Sequence, residues 1–266
     1  MLRLFIFVAL ILELLGSEWA RPARAQSIVS DLEQEIRQRA AQIETKLIAW
    51  RRDIHEHPEL GEQETRTAGV IAEHLTKLGL EVKTGVARTG VIAILKGSKP
   101  GPVVGLRADM DALPVKEPEG LPFASKVKGK YLGREAHTAI LMATAEVLTA
   151  MKDKLPGTVK FMFQPAEEGP SLYPAFTGKI WGARAMIKEG ALQDPKPDVV
   201  FGLHVNSGLP SGRIGYRAGP AMANADELRI KVTGRQGHAG YPWRAVDPVT
   251  TAAQIVLGLQ TVVRPI

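Results

Sequence analysis

The chain has 266 residues, with 34 Lys and Arg against 28 Asp and Glu, giving a formal charge of +6. Hydrophobic residues make up 45% and charged residues 23%, ordinary globular values that exclude a disordered chain. There is no cysteine, which excludes a disulfide scaffold and thiol catalysis. The basic residues often sit beside acids, as in Lys116-Glu117 and Lys188-Glu189, so no nucleic-acid surface is expected.

Residues 1–25 read as an export signal. Arg3 opens it, residues 4–15 are apolar apart from Glu13, and Ala23-Arg24-Ala25 forms an A-x-A cleavage site. The apolar run is about a dozen residues, short of the ~20 that a spanning helix needs. The expectation is cleavage after Ala25 and an exported protein, periplasmic or secreted, with no stable membrane span. An uncleaved amphipathic anchor is the other reading, and Glu13 favours it.

A helix is predicted over 31–55. Leu32, Ile36, Ile43, Leu47, Trp50 and Ile54 recur at helical spacing, with Ser30 or Asp31 as the cap. A second helix is predicted over 64–78, stopped by Gly79. Strands follow at 81–84, 91–95 and 103–108, then a helix at 138–151 and a strand at 159–163. A short helix at 183–189, a buried apolar strand at 199–203 and a further strand at 213–217 complete the series. This alternation predicts an α/β domain, with a central mostly parallel sheet covered by helices on both faces.

The pattern changes at Gly219-Pro220. Residues 226–233 alternate polar and apolar, which predicts a half-solvated strand. A helix over 247–263 follows, stopped by Pro265. One strand and one helix cannot close a core. Residues 26–218 therefore read as one domain, and 219–266 as the start of a second, α+β domain.

The chemistry-bearing residues cluster after predicted strands. Gln164-Pro165-Ala166-Glu167-Glu168-Gly169 follows directly on the strand 159–163. The C-terminal end of a sheet strand is where α/β folds place ligands. Adjacent carboxylates can divide labour, one binding a cation and the other taking a proton from water. The plainer alternative is a solvated acidic turn. His204 ends the strand 199–203, on the same edge as Glu167 and Glu168. An imidazole beside carboxylates is a common metal ligand; a satisfied core histidine is the alternative. Asp109 and Asp111 follow the strand 103–108 and suit either the support of metal ligands or an Asx turn. His238 lies in a Gly-rich turn, from which it can donate to an oxyanion or carboxylate. His55, His57 and His74 lie on or beside the two N-terminal helices and read as structural. The sequence holds no nucleophile elbow, no phosphate loop and no His-Glu-x-x-His.

Several motifs in order carry a resemblance. They are Arg51-Arg52 with His57-Pro58-Glu59-Leu60, then Leu106-Arg107-Ala108-Asp109-Met110-Asp111-Ala112-Leu113-Pro114. Next come Phe163-Gln164-Pro165-Ala166-Glu167-Glu168-Gly169 and Gly202-Leu203-His204. The last is Gly237-His238-Ala239, followed by Val246-Asp247-Pro248. Over residues 50–264 the sequence resembles the metal-dependent aminoacylase/carboxypeptidase family of amidohydrolases. The nearest branch holds hippurate hydrolases, N-acyl-amino-acid amidohydrolases and indole-acetyl-amino-acid hydrolases. The resemblance implies a catalytic α/β domain carrying an α+β lid domain, through which a homodimer can form. It implies hydrolysis of the amide of an N-acyl amino acid or small peptide, at two divalent metal ions, manganese or zinc. By motif, Glu167 resembles the general base, with Asp111 beside it among the catalytic residues. Glu168 and His204 resemble metal ligands, and His238 the lid histidine that meets the substrate. Asp109 and Asp111 stand where the family supports its site.

The chain departs from this pattern before the helix 138–151. The family carries His-Ala-Cys-Gly-His-Asp ahead of a His-Thr-Ala helix start, and its Cys and second His are ligands. Here the stretch reads Tyr131-Leu132-Gly133-Arg134-Glu135-Ala136-His137-Thr138-Ala139. Without a gap, Leu132 and Arg134 stand at the ligand positions. With a gap, Tyr131 to Glu135 matches the stretch before the motif and Ala136 to Ala139 its end. Either way the Cys-x-His pair is absent. The family's last ligand histidine is expected beyond Ile266. Of the five expected protein ligands only Glu168 and His204 remain; substitution by His137 is an alternative, not the expectation. The expectation is an impaired amidohydrolase; the alternative is a catalytically dead binding protein or a fragment of a damaged gene.

Overall fold

The computed structural model describes residues 23–113, 120–125, 127, 132–133, 136–172, 178–220, 222 and 228–262. Expectations that fall on 1–22, 114, 131, 134–135, 226–227 and 263–266 lie outside the described residues. Helix α1 spans Ala23–Glu56 and α2 spans Thr65–Lys77. The chain is helical well before residue 30, so neither Ser30 nor Asp31 caps α1; Ala, Arg and Gln in that first stretch favour continuation. Ile36, Ala40, Ile43 and Ile54 form its buried stripe. Among the described residues, no helix is long and apolar enough to cross a membrane.

Strands β1 (Glu81–Val86), β2 (Gly90–Lys96) and β3 (Lys99–Asp109) come next. Two short strands, β4 (Ala112–Leu113) and β5 (Leu132–Gly133), pair with each other. Helix α3 (Ala136–Ala150), β6 (Pro156–Gln164), α4 (Gly182–Lys188) and β7 (Val199–Gly202) follow. Among the described residues the main sheet has the order β1-β2-β6-β3-β7. Strand β2 pairs antiparallel with both β1 and β6, while β6 with β3 and β3 with β7 are parallel. The strands β1, β3, β6 and β7 therefore share one direction, and the sheet is mostly parallel. Helix α3 makes the crossover from β3 to its parallel neighbour β6, and α4 the crossover from β6 past β3 to β7.

The period of two sends neighbouring side chains to opposite faces. Val91, Ala93, Leu95, Val104, Leu106, Ala108, Val159, Phe161 and Phe163 share one core with the buried residues of α1, α2 and α3. Ile92 and Met162 meet Ala185, Met186 and Ala191 on the other face. Lys160 also lies on that second face, buried, and its ammonium donates to the carbonyls of Gln193 and Pro195. Burial holds its pKa below the ordinary lysine value.

Register positions the site. Asp109 lies beside Gln164, and Arg107 beside Gly202, so three adjacent parallel strands release their C-terminal loops at one edge. Strand β7 corrects an expectation: Val199 and Val200 are exposed, not buried, because β7 is the edge strand with β3 on one side. Residues 213–217 form no strand and Tyr216 is 90% exposed; no neighbouring strand offers them a ladder among the described residues.

The chain divides into two compact units, Met1–Gly219 and Pro220–Ile266. In the second, residues 228–233 are irregular and not the predicted strand. A lone alternating segment without a pairing partner forms no ladder. The bridge Arg235↔Val246 closes the turn that holds His238. A 3-10 turn at Pro242–Arg244 leads to helix α5 (Pro248–Val262). Asp247 opens α5 by accepting the N–H of Val249 at 2.8 Å and the hydroxyl of Thr250.

Candidate functional site

The loop after β6 is held by its backbone. Ala166 takes a left-handed φ of 48°, unfavourable for a residue with a Cβ. Glu64 Oε1 accepts the Ala166 N–H at 2.7 Å, and Asp111 accepts those of Glu167 and Glu168 at 2.9 Å each, one on each oxygen. The other Glu64 oxygen accepts the Thr89 hydroxyl at 2.5 Å. Three successive amides are thus caught by two buried carboxylates. Burial pushes the Asp111 carboxyl up to about 7, against the two amides that favour its charge, and Glu64 adds to the rise. Burial also raises Glu64, opposed by its bonds from Thr89 and Ala166. With the backbone clamped, the side chain of Glu167 is half-buried and that of Glu168 exposed. Gly61 lets this loop pack closely: a Cβ there would lie 2.0 Å from the Gly169 carbonyl oxygen.

A second cluster ties β3, α3 and β7. Asp109 Oδ1 accepts Nδ1–H of His137 at 2.7 Å, and its carbonyl accepts the Thr138 hydroxyl at 2.5 Å. His137 Nε2 accepts the Val205 N–H at 2.7 Å. These partners set the tautomer, with the proton on Nδ1. Burial alone would push Asp109 up, but His137 and Arg107 outweigh it and hold the carboxyl below its ordinary value. His204 is exposed, with Nδ1 2.8 Å from the Val205 carbonyl oxygen and its ring centroid 5.4 Å from that of His137. Arg107 Nε donates to Gln164 Oε1 at 2.8 Å, and its guanidinium lies 3.8 Å from both Asp109 and Glu167.

Glu167, Glu168 and His204 therefore leave one sheet edge, as expected. Both oxygens of Asp111, expected among the catalytic residues, accept backbone N–H groups of the loop. His137, the alternative ligand, has both ring nitrogens engaged. His238 belongs to the second unit, where its Nδ1 accepts the Gly240 N–H at 3.0 Å. His55 stacks edge-on against Phe123, His57 lies 2.8 Å from the Asp53 carbonyl oxygen, and His74 lies 3.1 Å from that of Met142. Burial lowers the pKa of His74. Sequence reasoning missed Glu64, whose partner Ala166 is 102 positions away. It also gave Arg107 no role, although the motif that holds it stood out.

Among the described residues, no group of three or more His, Cys, Asp or Glu is placed to hold a metal ion. Structural and catalytic zinc sites use about three or four protein ligands. Among the described residues, the donors present do not fit a paired-metal centre.

Comparison with known proteins decides the family. The model of Peptidase family M20/M25/M40 matches residues 105–264. The chain belongs to this family. It is 44% identical over 222 residues to the N-acetylcysteine deacetylase of Bacillus subtilis, covering 82% of this chain and 55% of that protein. It is 39% identical over 232 residues to the N-acyl-L-amino acid amidohydrolase of Geobacillus stearothermophilus, covering 86% of this chain and 60% of that protein. Among solved structures, the Bacillus subtilis YxeP protein, a dinuclear metal-binding peptidase of family M20, matches with a TM-score of 0.56 and 41% identity. That match covers 64% of this chain and 45% of the YxeP chain. A structure from methicillin-resistant Staphylococcus aureus matches with a TM-score of 0.72 and 36% identity, over 86% of this chain and 57% of that one. The chain spans just over half the length of the M20 relatives it matches. The mixed α/β fold is that of the M20 catalytic domain.

Proposed function

We propose that the chain carries an amide-hydrolysing site of the M20 kind, acting on N-acyl amino acids or small peptides, with its turnover impaired. The observation that carries this reading is the clamped loop, which presents Glu167 and Glu168 at the sheet edge that also releases His204. Relatives named for the removal of acyl groups from amino acids support the substrate class. In this reading Glu167 takes the proton of the attacking water and returns it to the leaving amine. Arg107, 3.8 Å from that carboxylate, orients it. Glu168 and His204 are the ligand candidates for manganese or zinc, and the missing Cys-x-His pair is the reason for impairment. Export through residues 1–25 and dimerisation through the second unit belong to the same proposal.

The test is release of free amino acid from a panel of N-acetyl and N-benzoyl amino acids, with and without added manganese. The expected result is slow turnover of at least one substrate, lowered by about a hundredfold or more in Glu167→Gln. A second reading, a binding protein without turnover, is favoured by the incomplete donor set. It predicts a raised melting temperature with an N-acyl amino acid and no release of product.

A further inference from the structure

We infer that the corner between β3, α3 and β7 is closed by a metal-free strut, Asp109–His137–Val205, and that this chain, unlike the dinuclear metal-binding YxeP protein, does not bind a pair of metal ions. The thiolate and imidazole donors of the whole chain can be counted. There is no cysteine, and all six histidines lie among the described residues. His55, His57 and His74 belong to the N-terminal helical region, with the partners given above, and His238 to the second unit. That leaves His137 and His204 as the imidazoles of the sheet edge.

His137 is not available as it stands. It is 2% exposed, donates from Nδ1 to Asp109 and accepts the Val205 N–H at Nε2. To bind a cation, Nε2 must surrender the bond that holds Val205. Asp109 is equally engaged, with His137 on its Oδ1 and Arg107 at 3.8 Å. Both oxygens of Asp111 hold amides of the neighbouring loop. The groups that would close a paired centre are already satisfied by the protein itself, and a satisfied buried network resists rearrangement.

The strut ties three elements together through hydrogen bonds alone. It links the last residue of β3, the second residue of α3 and the residue after His204. Strand β7 is the sheet edge and has β3 on one side. A short edge strand needs anchoring beyond its ladder, and the imidazole supplies it. The Thr138 hydroxyl on the Asp109 carbonyl ties α3 to the same strand end. His137 is thus a positioning residue for the loop of His204.

The test uses the full chain and does not depend on turnover. Manganese bound per chain is counted by the loss of the free-ion electron paramagnetic resonance signal, and melting is recorded with and without chelator. The expected result is fewer than two bound equivalents, with a melting temperature that chelator leaves unchanged. Two tightly bound equivalents, or a melt that falls with chelator, would overturn the inference. The strut itself is read by amide exchange in NMR. His137→Asn keeps a donor for Asp109 but does not reach Val205. The Val205 amide is expected to exchange about tenfold faster in this variant, the scale of one hydrogen bond, while Leu106 in β3 stays protected. A Val205 amide unprotected in the native chain, or unchanged in the variant, would also overturn it. Should His137→Asn fail to fold, the manganese count and the native Val205 amide still decide.

Discussion

A carboxylate with both oxygens on backbone amides behaves differently from one that waits for a substrate. Asp111 is of the first kind, holding the N–H groups of Glu167 and Glu168. Asp111→Asn turns one acceptor into a donor that faces an N–H. The expected cost is about 1–3 kcal/mol, measured by urea unfolding near pH 8. Burial first, then the charge of Glu64, raises this group from 3.8 to about 7. The folded state therefore holds a proton that the unfolded state has released across that window. Stability from Asp111 is full below its ordinary value and is lost as pH rises through about 7. The asparagine variant does not titrate at this position. The stability advantage of the native chain over it is expected to narrow as pH climbs, and an advantage that widens would contradict the assignment. Gly61→Ala tests the same loop by sterics, because the new Cβ meets the Gly169 carbonyl oxygen at 2.0 Å and Ala166 Cα at 3.0 Å. A loss of about 1–3 kcal/mol is expected in the same assay. The candidate carboxylates Glu167 and Glu168 stood out in sequence because they follow an apolar strand. Glu64 was not, because a buried acid at a helix start resembles any first-turn glutamate until the fold brings residue 166 to it.

Helix α2 shows how one element depends on a residue outside it. Glu64, at its N-cap, makes no side-chain cap bond, since its oxygens serve Ala166 and Thr89. Glu59 takes over, accepting the N–H of Arg66 at 2.9 Å and that of Thr67 at 2.8 Å. Glu59→Ala is expected to cost about 1–2 kcal/mol of stability, with Glu59→Gln losing less because one acceptor remains. Equal losses in the two variants would argue against a capping role. The sequence marked Glu59 only as part of a motif, since a cap from five residues before the N-cap has no local signature. Elements with their own period, such as α3, β2 and β6, were legible throughout. Elements whose state depends on a neighbour were not. The apolar run 199–203 looks buried in sequence, yet β7 is exposed because its far side has no strand among the described residues. The alternating run 226–233 looks like a strand, yet residues 228–233 find no ladder partner.

The two units of the molecule differ in how they are held. The first has a sheet with covered faces and a continuous core through β2, β3 and β6. In the second, no residue of α5 is buried, and Val249, Val256, Leu257 and Val262 are exposed. A helix of this length without tertiary burial is marginal in water, because most helical stability comes from packing an apolar face. Local unfolding of α5 should therefore require far less free energy than opening the central strands. Hydrogen exchange followed by mass spectrometry on the full chain can compare peptides covering 248–262 with peptides covering β3 and β6. The helix peptides are expected to exchange about a hundredfold sooner or more. They should also lose protection at a urea concentration that leaves the sheet intact, giving two transitions. One shared transition, with α5 as protected as β6, would show that the second unit draws its stability from a packed core, and the marginal-helix account would fall.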